Sequence, residues 1–165
     1  MKTLYIGILV SFFIMTTSNC QEYRQTYTAG KVIYLNDIPD NSEYLILPVE
    51  GITWKLIGFG NAKTQSIDIP ESPPLGNQYT VLFKDNDLTG ITSSNHIYGK
   101  YEINVHQQTL NIIDILSTRA NEERYGHEYY SRLSGVNRYD LTPKGLKLYY
   151  TQDEFLLFEI SKSPR

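Results

Sequence analysis

The sequence predicts a mainly β (α+β) domain: a strongly twisted antiparallel sheet or partly closed barrel packed against one α-helix. Three observations carry this expectation. Short apolar runs separated by turn-forming residues recur along most of the 165-residue chain. Tyrosine, which suits half-buried sheet surfaces with an apolar ring and a wet hydroxyl, occurs 14 times. Only one segment, residues 121–134, shows helical spacing, with Tyr125, Tyr129 and Leu133 at intervals of four.

Taken in order, residues 31–35 and 43–48 are apolar runs separated by the turn formers Asn36, Asp37, Pro39, Asp40 and Asn41, which predicts an N-terminal hairpin over residues 31–50. Ile52, Trp54 and Leu56 alternate with Thr53, Lys55 and Ile57 until Gly58, Gly60 and Asn61 break the strand. Residues 71–77 contain Pro73 and Pro74 and read as loop, because proline removes ladder donors. Tyr79, Val81 and Phe83 then share a face, and residues 84–87 turn the chain.

Tyr101, Ile103 and Val105 alternate with Lys100, Glu102, Asn104 and His106, a strand with one wet face. A turn at residues 106–109 leads to the apolar run 110–116. In the helical segment Asn121 is the expected N-cap, Glu122 and Glu123 suit the dipole of the first turn, and Gly135 stands where a terminating glycine belongs. Thr142, Pro143, Lys144 and Gly145 form a tight turn that precedes the run 146–150, and residues 155–160 close the series.

The N-terminus reads as an address. Lys2 supplies a positive start, residues 4–15 are uncharged and apolar, and a short polar stretch leads to Cys20. The apolar run is short for a membrane span, and no later segment approaches one. Residues 1–19 are therefore expected to be a signal peptide, 20–30 a tether, 31–50 the extra hairpin and 51–165 the main domain.

Cys20 is the only cysteine and has no internal partner for a disulfide. Placed just after the apolar run, it is expected to be the lipid-modified first residue of an outer-membrane-anchored lipoprotein facing the periplasm or the cell surface. Cleavage nearby by an ordinary signal peptidase is the other reading, since Thr17, Ser18 and Asn19 make a poor lipobox. Lys2 is the only charged residue among the first 20, so its removal takes the formal charge from −3 to −4. That mild acidity argues against nucleic acid, whose binders cluster Lys and Arg.

Residues that share an order and spacing with a known family lie between roughly 50 and 160. They begin with Trp54 and Leu56 of a Trp-x-Leu strand. Phe83, Leu88 and Gly90 follow, then Ser93, Ser94 and Asn95, then Gly99 and Tyr101 of a Gly-x-Tyr. A strand from Leu110 ends in Ser117 and Thr118. Glu128, Tyr129 and Leu133 sit in the helix, and Tyr139, Leu146, Leu148, Leu156 and Phe158 in the final hairpin. This set resembles the META (HslJ-like) domain, in the exported lipoprotein version of Bacteroidetes.

The resemblance implies an envelope protein with a binding or stress-related role, without enzymatic activity or cofactor. A similar fold is implied for lipid-binding pilot proteins, so one alternative is a carrier of a lipid or small apolar ligand between helix and sheet; the other is a protein-binding or inhibitor module presenting loops such as residues 71–77. Many family members carry Cys at the place of Ser94 and again soon after that of Thr118; here Ser94, Asn121 and Glu122 stand instead, so no disulfide is implied.

Other constellations carry less. Asp85, Asp87, Thr89 and Gly90 resemble half a calcium loop, but its twelfth position is His96 rather than Glu, and a polar hairpin turn is the simpler reading. His96, His106 and His127 lack zinc-ligand spacing. Gly-x-Ser-x-Gly and Ser-x-x-Lys motifs are missing. Glu122, Glu123 and Glu128 read as a charged helix start rather than as catalytic carboxylates.

Overall fold

The computed structural model describes residues 27–71 and 78–161. The signal segment, Cys20 and most of the loop expected at 71–77 lie outside them. Among the described residues ten strands form: β1 (Val32–Tyr34), β2 (Thr53–Asn61), β3 (Ser66–Asp68), β4 (Thr80–Lys84), β5 (Asp87–Ile91), β6 (His96–Asn104), β7 (Thr109–Ser117), β8 (Arg138–Thr142), β9 (Gly145–Tyr149) and β10 (Glu154–Ile160). The one α-helix among the described residues, α1 (Arg124–Ser134), connects β7 to β8.

Eight strands run in the order β7-β6-β5-β4-β2-β10-β9-β8, each antiparallel to its neighbours. The sheet curls until its ends meet. Tyr139 N–H donates to the Gln108 carbonyl (3.0 Å) and Ile112 N–H to the Val136 carbonyl (3.4 Å), so the two outermost strands touch without a full ladder. This is the expected twisted sheet, curled into a partial barrel on one helix.

Two glycines make the curl feasible. A Cβ on Gly99 would collide with the Asp114 carbonyl, and one on Gly90 with the Thr80 carbonyl. Neither backbone atom can swing aside, so only glycine allows β4 to β7 to approach and coil this tightly.

The inner face of the curl is the main core. Trp54, Val81, Phe83, Leu88, Ile97, Leu110, Leu133, Leu146, Leu148, Leu156 and Phe158 are fully buried there. α1 lays Tyr129 and Leu133 into it, as their four-residue spacing requires. The Tyr129 ring meets Tyr79 edge-on at 5.7 Å and Phe158 at 6.3 Å.

The Tyr129 hydroxyl is buried with no hydrogen-bond partner among the described residues. An unsatisfied buried hydroxyl costs about 1–3 kcal/mol. Tyr129→Phe is therefore expected to raise stability by about 1 kcal/mol, or roughly 3 °C in Tm. A calorimetric Tm that falls instead would mean that the hydroxyl has a partner.

The N-terminal segment departs from expectation. Residues 31–50 do not form a hairpin. β1 pairs with β3, and β3 with β2. Residues 42–46 are a 3-10 turn rather than a strand, capped by the Asn41 side chain, which accepts from Glu43 N–H at 3.0 Å.

Nor is this segment an appendage. Leu35 and Ile38 join Ile57, Ile67, Ile69, Tyr149, Phe155 and Leu157 in a second core on the outer face of β2, β10 and β9. Tyr27 packs against it, and Gly30 N–H donates to the Ile69 carbonyl at 2.9 Å, so the folded body reaches back into the span expected to be tether. β10 thus has both faces covered: Leu156 and Phe158 face one core, Phe155 and Leu157 the other.

Candidate functional site

Two places in the fold gather residues that do more than pack. The first is a polar clamp where α1 begins. The sequence suggested a helix capped by Asn121 with Glu122 in its first turn. The helix instead starts at Arg124 with Glu123 as N-cap, because the Glu122 carboxylate is drawn back to the β5–β6 turn. It accepts from Thr92 Oγ1 (2.6 Å), Ser93 N (3.1 Å), Ser94 N (3.1 Å), Asn95 Nδ2 (2.6 Å) and the Ser93 hydroxyl.

Asn95 is the hub of the same network. Its Oδ1 accepts from Thr118 Oγ1 (2.8 Å) and Ala120 N (2.7 Å), and its amide also donates to the Ala120 carbonyl. Thr118 Oγ1 in turn accepts from His96 N at 3.1 Å. Asn95 and Thr118, 23 residues apart, are thereby joined. Gly126 lies directly over the carboxylate, and a Cβ there would strike Glu122 and Ser93. The segments of Ser94 and Glu122, where the family resemblance placed a cysteine pair, are bridged by hydrogen bonds.

Burial alone would raise the Glu122 pKa, but donors from Asn95, Ser93, Thr92 and Ser94 outweigh it and hold the carboxyl below its ordinary value. Glu122 therefore stays ionised near neutral pH, unlike a general base poised near 7. The Ser93 hydroxyl is occupied twice, donating to Glu122 and accepting from Glu123 N. Tyr79 nearby is pushed up to about 12 by burial and by Glu123 and Glu122. This arrangement holds chain segments together.

The other residues singled out by sequence also have structural places. Trp54 and Leu56 lie in the main core. So does Tyr101, whose hydroxyl donates to Glu50. Glu128 pairs with Arg124 (3.6 Å) and Arg132 (3.8 Å) along α1. Asp85 and Asn86, at φ 52° and 67°, form the tight β4–β5 turn rather than a cation loop. His96, His106 and His127 lie on β6, in the β6–β7 turn and on α1.

The second place is the outer face of β2, β4, β5, β6 and β7, which the N-terminal segment leaves uncovered. Strand register aligns Thr53, Leu82, Thr89, Tyr98 and Leu116 in one row across the five strands. A second row, Lys55, Thr80, Ile91 and His96, runs beside it. On the other side Lys84, Asp87, Lys100 and Asp114 alternate in sign, with Lys100 paired to Asp87. Tyr98 is 52% and Leu116 71% exposed. The Tyr98 and His96 rings lie 6.5 Å apart with planes 24° apart. An open hollow of about 230 Å³ spreads over the first two rows.

This face was not legible in the sequence. Its residues lie on five strands, and only the register brings them together. A polar hollow at the β6–β7 hairpin is lined by Asn104, Gln107 and Asn111, but the Asn104 side chain serves the turn, accepting from His106 N and Gln107 N at 3.1 Å. The space between α1 and the sheet, where an apolar ligand would need a chamber of about 300 Å³, is taken up by Tyr79, Tyr129, Leu133 and Phe158, none more than 3% exposed.

No protein-family model matches the chain, and no curated protein does. Among solved structures it is similar to a protein from Burkholderia xenovorans determined by NMR, at 17% identity and TM-score 0.54, over 76% of this chain and 91% of that one. It is also similar to a DUF4847 family protein from Bacteroides vulgatus, at 17% identity and TM-score 0.53, over 74% of this chain and all of that one. At such identity the likeness is one of fold.

Proposed function

We propose that this chain is a non-enzymatic, META-like binding module of the bacterial cell envelope, tethered through Cys20, whose working surface is the outer face of β4 to β7. The row of half-buried Leu82 with exposed Thr89, Tyr98 and Leu116 carries this reading. A tyrosine beside a well-exposed leucine on a sheet surface has the composition of a docking surface. The packed interior favours it over a carrier of apolar ligands. The fully engaged Glu122 and Ser93 favour binding over catalysis.

Incubated with solubilised envelope extract, the immobilised full chain is expected to retain a component that Tyr98→Ala with Leu116→Ser releases at least tenfold more readily. Equal retention by the double variant would refute the surface. For the tether, Cys20→Ala is expected to move the chain from the membrane to the soluble fraction. Unchanged membrane association and processed mass would count against lipidation.

A further inference from the structure

We infer that the ligand of this outer face is a neutral polysaccharide laid across the strands, a step that rests on the surface reading above. The row of Thr53, Leu82, Thr89, Tyr98 and Leu116 contains no charged side chain. The lining of the hollow holds no Lys, Arg, Asp or Glu, the flanking row sets Lys84 and Lys100 against Asp87 and Asp114, and Lys55 at the end of the second row stands opposite Glu159 of β10. Charge complementarity thus selects an uncharged ligand.

Hydroxyls select a hydroxylated one. Thr53, Thr80 and Thr89 line the hollow, and each can both donate and accept. They stand on the neighbouring strands β2, β4 and β5, Thr53 and Thr89 in one row and Thr80 in the next. Tyr98 and His96, with ring planes only 24° apart, offer neighbouring flat faces for the C–H side of a sugar ring. The hollow, about 230 Å³ and open, falls below the ~300 Å³ usual for a compact enclosed ligand, so it suits part of an extended chain.

The test is native electrophoresis of the detergent-solubilised full chain in gels containing dextran, laminarin, amylopectin or galactomannan, with polygalacturonate as the acidic comparison. At least one neutral gel is expected to retard the chain and polygalacturonate is not. Tyr98→Ala should weaken retardation at least tenfold and Thr89→Ala at least twofold, each with a Tm within a few degrees of the parent. Asp153→Ala, remote from this face, should behave as the parent does.

The proposal is overturned if no neutral gel retards the chain, if Tyr98→Ala is retarded as the parent is, or if polygalacturonate binds more strongly. Should envelope retention still depend on Tyr98 while every neutral gel fails, the partner is a protein: the surface stands and the polysaccharide falls. Should envelope retention ignore Tyr98, both fall.

Discussion

Trp54→Ala is expected to cost about 3–5 kcal/mol, the usual range for deleting a large aromatic from a core. Trp54 has no exposed surface and lies on β2 between Val81 of β4 and Ile160 of β10. Its ring lies 6.3 Å from that of Tyr44, and its indole N–H donates to the Val49 carbonyl at 2.8 Å. Truncation opens a cavity at the centre of the sheet and strips that carbonyl of its donor. Because a domain of this size is stable by only about 5–15 kcal/mol, much of the folded population's margin would go. Trp54→Phe fills most of the space and loses only the hydrogen bond, so about 1–2 kcal/mol is expected. Urea denaturation followed by circular dichroism measures both, and a loss below about 1.5 kcal/mol for Trp54→Ala would contradict the packing described.

Glu122→Ala is expected to cost about 2–4 kcal/mol, because it leaves several partly buried donors without their shared acceptor. Those donors are Thr92 Oγ1, Ser93 N, Ser94 N and Asn95 Nδ2. Glu122→Gln keeps the shape and one acceptor oxygen but points an NH₂ at other donors, so it should fall between parent and alanine. Hydrogen exchange at Ser93 and Ser94 should accelerate in both variants, since each amide loses or weakens its acceptor. The sign with pH follows from the carboxyl pKa, which the fold holds below its ordinary value. The stabilisation is fully present above the unfolded pKa of about 4.3 and is lost as pH falls through the lower folded one. Glu122→Ala should therefore flatten the acid side of the stability curve. Parent and variant losing stability in parallel between pH 5 and 2 would contradict the clamp.

The helix, the strand alternation and the partial barrel were readable because local periodicity and turn chemistry decide them. Tyr129 and Leu133 turn inward as their spacing requires. Residues 42–46 misled because Glu43, Tyr44, Leu45, Ile46 and Leu47 have an apolar composition that suits a strand, while the Asn41 side chain caps Glu43 N–H and Leu47 N–H closes back on the Tyr44 carbonyl. Glu122 misled for a different reason. Two acids before a helix ordinarily serve its dipole, whereas here the turn of Thr92, Ser93, Ser94 and Asn95 presents backbone N–H groups that capture one of them. Such a small-residue turn is an anion-binding concavity in its own right. It was the one signal present, but its partner, 27 to 30 residues on, had no local mark. The Tyr98 and Leu116 row needed the register of five strands, which no local pattern encodes.

The working surface is the central claim, and amide chemical-shift mapping tests it most directly. Isotope-labelled chain titrated with the envelope fraction it retains should show shifts concentrated on Leu82, Thr89, Ile91, Tyr98 and Leu116, with β8, β9 and the second core unmoved. Shifts centred on the β8–β9 hairpin, or on the inward residues Tyr129 and Leu133, would contradict it.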